Sequence, residues 1–270
     1  MRIKKVIALS MLLVAALSAA PTISAAVAGK AVTDKAVAGR KARESRKDAE
    51  ALQKATLKGD VKAVEALLKK GVSANAEYDG FLPLGFAAGQ GHVEVAELLI
   101  KYGANVDAKE QDGWTALMFA AAKGRVETIE VLLKNGADIE AKQTTGWTPL
   151  IAASVYGQAN AIQALLDYGA NINALSKDKR TGLMMAAFNG HTEAVEVLLD
   201  YGANIDAKDR NGLTALMMAS GNGYIKVVEA LLDYDANVNV FDRYGSTALD
   251  YAKDGGHTKI IKLLRQYGGV

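Results

Sequence analysis

The sequence predicts an all-α fold, a solenoid of about seven stacked helix-turn-helix units joined by extended loops. Three observations carry this prediction. The stretches GWTALMFAA (residues 113–121) and GWTPLIAAS (residues 146–154) nearly repeat one another 33 positions apart. Thr115, Thr148, Thr181, Thr214 and Thr247 keep that interval without a slip, and self-similarity at a fixed period marks a repeat architecture. Between these marks, glycines and helically spaced apolar residues alternate in the same order each time.

Each unit reads from its threonine. The Thr hydroxyl suits an N-cap, the next residue (Ala, Pro or Gly) is tolerated at the first helical position, and Leu117, Leu150, Leu183, Leu216 or Leu249 then supplies a core contact. Nine residues after each Thr, Gly124, Gly157, Gly190, Gly223 and Gly256 end this short first helix. A second apolar pattern follows, as in Val126, Ile129, Leu132 and Leu133, with the i, i+3, i+4 spacing of a helix that buries one face. Another glycine, in NGADIEA, YGANINA or YGANIDA, closes it and opens an extended loop. Ala120, Ala121, Ala186 and Ala187 keep the first helices slim enough for neighbours to approach.

Taken together, DGWTALMFAAAKGRVETIEVLLKNGADIEAK resembles the ankyrin repeat, whose pattern runs Gly, x, Thr, Pro, Leu, His, x, Ala, Ala, x, x, Gly, His and later Leu, Leu, x, x, Gly, Ala, Asp. The resemblance covers residues 49–270, with repeats at about 49–76, 77–109, 110–142, 143–175, 176–208, 209–241 and 242–270. It implies paired antiparallel helices in a curved stack, with projecting hairpin-like loops, whose concave face and loop tips bind partners. The first unit lacks the Thr-Pro-Leu start but keeps GDVKAVEALLKKG, and its Gly71 precedes Gly103 by 32 residues rather than 33. In the last unit Lys253 and Arg265 put polar groups where a further repeat would pack, so the array is expected to end there. The family's histidine after Leu is replaced by Gly85, Met118, Ile151, Met184, Met217 and Asp250, which removes its loop-bridging hydrogen bond and leaves methionine to fill the space. Lys179 and Asp235 stand where glycine is expected, and strain or a local rearrangement is expected at both.

The N-terminus is a separate object. Arg2, Lys4 and Lys5 precede an apolar run from Val6 to Ala20 and then small residues, the order of a secretory signal peptide (residues 1–26, cleaved after Ala26 or Ala28). The run is shorter than the roughly 20 residues of a membrane span, so no transmembrane segment is expected after cleavage and a periplasmic or secreted bacterial location follows. Residues 27–48 read as a basic linker or frayed helix: within 29–48, seven cations oppose three acids. Residues 49–270 then hold 22 basic and 27 acidic side chains, a mildly acidic body without the clustered cations of a broad nucleic-acid footprint. The chain has no cysteine, which excludes disulfides, thiolate ligands and cysteine nucleophiles.

Chemistry-bearing residues fall on structural addresses. His92, His191 and His257 share one repeat position after a glycine, too far apart to converge on a metal, and read as capping or loop contacts. Asp107, Glu140, Asn173, Asp206 and Asn239 recur on the extended segments and read as solvating or turn-forming residues rather than a cation ladder. No nucleophile, base and orienting group occur together, so no enzyme, cofactor or metal site is expected. The informative stripe precedes each Thr: Phe81, Trp114, Trp147, Arg180, Leu213 and Ser246, whose aromatic members are expected to form a continuous row on the concave side. Aromatic residues and arginine are the types enriched at interface hot spots. Loop residues Tyr78, Gln111, Asp112, Lys177, Arg210, Arg243 and Tyr244, with Lys123, Tyr156, Phe188 and Asn189 closing first helices, complete the candidate partner-binding surface. The expectation is a protein-binding scaffold, monomeric alone, with its partner unidentified; the alternatives are an inhibitor or regulator of an envelope or extracellular enzyme, or an adaptor tethered by the basic linker.

Overall fold

The computed structural model describes residues 45–270; the residues read as a signal peptide and most of those read as a basic linker lie outside the described residues. Fourteen α-helices follow in seven pairs: α1 (residues 45–57) with α2 (Val61–Lys69), α3 (Pro83–Gln90) with α4 (Val93–Lys101), α5 (Ala116–Ala122) with α6 (Val126–Lys134), and α7 (Pro149–Val155) with α8 (Ala159–Asp167). The series continues with α9 (Gly182–Asn189) and α10 (Thr192–Asp200), α11 (Ala215–Asn222) and α12 (Ile225–Asp233), and α13 (Ala248–Asp254) and α14 (Thr258–Gln266). Odd-numbered inner helices pack on the inner helices of neighbouring repeats, from α3 onward, and even-numbered outer helices pack on outer ones. None of the described helices is long and apolar enough to cross a membrane.

Local chemistry starts each inner helix as the sequence implies. Thr115, Thr148, Thr181, Thr214 and Thr247 each accept, through the side-chain oxygen, the backbone N–H three residues on. Leu82 breaks the series and offers α3 no side-chain cap. The alanines behind these caps are fully buried, Ala87, Ala120, Ala153, Ala186, Ala219 and Ala252 among them, so inner helices meet at small residues. A single apolar core runs from Leu52 to Leu264 through the whole stack.

The first helix begins earlier than the repeat boundary drawn at residue 49. Residues 45–48 are already helical, Asp48 accepts from Lys70 Nζ at 2.9 Å and Arg46 lies 3.6 Å from Asp79, so the end of the basic segment belongs to the stack. At both non-glycine exceptions the strain is real: Lys179 (φ 59°) and Asp235 (φ 62°) hold the left-handed conformation their glycine counterparts hold.

Three rows of polar contacts tie repeat to repeat. His92, His191 and His257 approach carbonyls of the preceding repeat through Nε2, at Leu57, Val155 and Gly221, with separations of 3.1, 3.0 and 3.2 Å. Tyr201, Tyr234 and Tyr267 donate their hydroxyls to Asp167, Asp200 and Asp233 on the preceding outer helix. The extended segments carry the third row: Asn75, Asp107, Glu140, Asn173, Asp206 and Asn239 accept the backbone N–H of Asn105, Asp138, Asn171, Asn204, Asn237 and Val270. The recurring acids and amides thus do more than solvate a turn. Their reach is 30 residues at the first step and 31 at the rest, the same one-residue shortfall that separates Gly71 and Gly103.

Candidate protein-binding surface

Each repeat from the second onward enters its inner helix through a hairpin closed by backbone bonds such as Glu110 N–H to Trp114 C=O (2.8 Å) and Asp209 N–H to Leu213 C=O (3.0 Å). Adjacent hairpins are joined at their tips: the N–H groups of Thr144, Lys177, Arg210 and Arg243 donate to the carbonyls of Asp112, Thr145, Asp178 and Asn211 at 2.9–3.0 Å. The fit leaves no room for a side chain at the tip of the Trp147 hairpin, because a Cβ on Gly146 would stand 2.7 Å from Lys177 N at φ +83°. A continuous edge results, held by main-chain hydrogen bonds, on which residue types at one repeat position line up.

Tyr78, Phe81, Trp114, Trp147, Tyr156, Arg180, Asn189 and Leu213 are half-buried on this side, while Gln111, Asp112, Lys123, Lys177, Phe188, Arg210, Arg243 and Tyr244 are exposed. The rings pair within repeats rather than along the row: Phe81 lies 5.3 Å from Phe86 and Trp114 lies 5.1 Å from Phe119, centroid to centroid. The aromatic side chains are therefore braced on their own inner helices, α3 and α5, with an edge left to solvent. Further along the edge, arginines stand over aromatic rings. Arg180 sits 5.9 Å over Phe188, and Arg243 sits 4.7 Å over Tyr244. Asn189 folds back to donate to Met185 C=O at 2.8 Å, so its amide is already occupied. Burial raises the Tyr156 phenol above its ordinary range, keeping it a neutral donor.

One position of the hairpin escaped the sequence reading. Glu110, Gln143, Ser176, Asp209 and Asp242 recur at 33-residue spacing, and each turns inward to accept backbone N–H groups. Asp209 accepts from Asn211 and Leu213, and Asp242 from Tyr244 and Ser246, each within its own hairpin. Burial works against the Asp242 charge, yet the bonds from Ser246, the Tyr251 hydroxyl and Tyr244 bring its carboxyl below the usual range; burial and that same bond push Tyr251 up to about 12. Glu110 is one methylene longer and reaches back to Leu82 N (3.1 Å), filling the gap that Gly85 leaves, where an added Cβ would come 2.1 Å from its Oε1. Desolvation there raises its carboxyl to about 7. The spacing of these residues was visible in the sequence; their inward direction was not.

The adjoining cavity, lined by Ala74, Leu82, Leu84, Gly85 and Glu110 among others, holds about 10 Å³, room for one water at most. Among the described residues no three of His, Asp and Glu come together in a way that could hold a metal ion.

Stacked helix pairs, a through-running core and a backbone-bonded hairpin edge define a repeat scaffold whose distinguishing residues face outward. Ankyrin-repeat family models, described as ankyrin repeats in three copies, match residues 23–110, 52–143, 103–176 and 183–270, and the chain belongs to this family. Ankyrin repeats serve as protein–protein interaction scaffolds and are typically non-catalytic. Comparison with curated proteins returns no match.

Proposed function

We propose that this protein is exported and acts without catalysis, binding a protein partner across its hairpin edge and inner-helix face, with Trp114 and Trp147 at the centre of contact. The observation that carries this reading is the pair of half-buried tryptophans on an edge whose neighbouring hairpins are tied together by backbone hydrogen bonds. A surface of that kind orders little on binding, so the ordering cost that weakens flexible binders is small. Large aromatic side chains there give contact area with few rotatable bonds. The N-terminal cation-apolar-small order supports export, and the absence of a nucleophile-base constellation in the sequence supports a binding role.

The test is crosslinked capture of partners from the exported fraction with Trp114→Ala/Trp147→Ala against wild type, with Trp114→Phe/Trp147→Phe as the conservative control. Loss of the captured partner in the alanine pair, retention in the phenylalanine pair and matching helical circular dichroism are expected. Unchanged capture by a folded alanine pair overturns the assignment.

A further inference from the structure

We infer that the hairpin edge of the last four repeats docks an acidic segment of a protein partner held in an extended conformation. The inference rests on the hairpin side being the partner surface and adds the chemistry of what lies on it. Net charge conceals the feature, because the balance of +2 for the whole chain averages opposite regions.

On the hairpins from residue 142 to 247, Lys142, Lys177, Lys179, Lys208, Arg210 and Arg243 are exposed and Arg180 is half-exposed. Three acids share these hairpins, and two of them are removed from the surface: Asp209 and Asp242 are 5% and 8% exposed and bind their own backbone N–H groups. Asp178 alone remains outside, 3.8 Å from Arg210. The first two hairpins reverse the sign, with Glu77, Asp79 and Asp112 exposed against Lys109. Outer helix α10 likewise exposes Glu193, Glu196 and Asp200. On these four hairpins exposed cations therefore far outnumber exposed acids, and their fields add.

The lysine and arginine stems are also held in place. Lys142 Nζ donates to Leu175 C=O (3.3 Å), Lys208 Nζ to Phe241 C=O (2.8 Å) and Arg210 Nη2 to Lys177 C=O (2.7 Å), each one repeat ahead or behind. These carbonyls orient the charges without neutralising them. Between them stand exposed apolar groups, Leu175 (42%), Phe241 (54%) and Tyr244 (72%), and aromatic residues and arginine are the types enriched at interfaces.

Spacing selects the partner. Packed helices lie about 8–10 Å apart, so a charge recurring once per repeat recurs at about that interval. An extended polyproline-type chain rises about 3.1 Å per residue with three residues per turn, placing every third side chain on one face at about 9 Å. A carboxylate at every third residue matches the file of cations. Duplex DNA carries a charge about every 1.7 Å of axis, far denser than a single file can meet.

The experiment is fluorescence anisotropy of a labelled (Glu-Pro-Pro)6 peptide with the full chain, against (Gln-Pro-Pro)6, single-stranded DNA and duplex DNA. Saturable binding of the Glu peptide alone is expected. It should weaken about tenfold in Lys177→Gln/Lys208→Gln/Arg210→Gln/Arg243→Gln and comparably between 50 and 300 mM salt. The outer-helix variant Lys226→Gln/Lys259→Gln/Lys262→Gln should bind as wild type; all seven positions are exposed, so both variants keep the fold. Absent binding, equal binding of the Gln peptide, equal loss in the outer-helix variant, or tighter binding of either DNA overturns the inference. Capture through Trp114 and Trp147 does not depend on these cations, so the two proposals fail separately.

Discussion

Glu110 has no counterion within its pocket and a neighbour, Glu77, of like charge. With its carboxyl raised from 4.5 to about 7, the folded chain keeps a proton that the unfolded chain has released. Stability therefore falls as pH rises through that window, and the loss is complete above about 7. Because the side chain is only partly buried, solvent screening leaves this on the order of 1 kcal/mol. Glu110→Gln keeps an oxygen for Leu82 N–H and removes the charge, so its melting temperature should exceed wild type at pH 8 and converge with it near pH 4.5. A constant difference across that range contradicts the account. The sequence marked Gly85 as a departure from the repeat pattern, but the occupant of the gap comes from 25 residues downstream, a distance local patterning does not span. Lys179 and Asp235 were legible, by contrast, because the conformation their position demands is set within a single turn.

At the scale of the element, caps and stops were readable since each depends on residues within one turn: Thr oxygens accept the N–H three positions on, and Gly91, Gly190 and Gly223 end their helices left-handed. What the period concealed is direction between repeats, such as the ring pairs that run Trp114 to Phe119 instead of along the row. The outer helices hold one further departure. Thr128 on α6 is fully buried and its hydroxyl has no partner, whereas the same position is Val95, Ala161, Ala194, Val227 and Ile260 elsewhere. An unpaired buried hydroxyl costs about 1–3 kcal/mol. Thr128→Val keeps the shape and removes the cost, so it should raise the free energy of unfolding in urea by about 1 kcal/mol; a loss of stability there means the hydroxyl has a partner in solution.

Across the whole molecule, each repeat contacts its neighbours and the stack has no centre, so stability is close to a sum of units and interfaces. The two tryptophans report on the third and fourth repeats alone, while circular dichroism reports on all helices. Leu165 in α8 and Leu264 in α14 are both fully buried, and truncating either to alanine costs about 2–5 kcal/mol. Leu264→Ala should unfold the end first, giving early helix loss in urea without a matching fluorescence change. Leu165→Ala should shift both signals together; coincident curves for both variants imply one indivisible cooperative unit. The period and repeat count were evident in the sequence because they are one-dimensional properties. The charge asymmetry of the hairpin edge was not, since Asp209 and Asp242 count equally with Asp178 until the structure shows which acids face inward.

The side chain that satisfies a backbone N–H one repeat later works as a ruler. Acceptor and donor are separated by a constant 31 residues after the first step, and the first step keeps its rung at 30 only in the unit whose loop is itself one residue shorter. Excision of a whole 33-residue module would let Asp, Glu and Asn find equivalent donors again. The chain should therefore lengthen or shorten most readily in complete modules, with a single-residue change absorbed only where the loop itself adjusts, as at the first step.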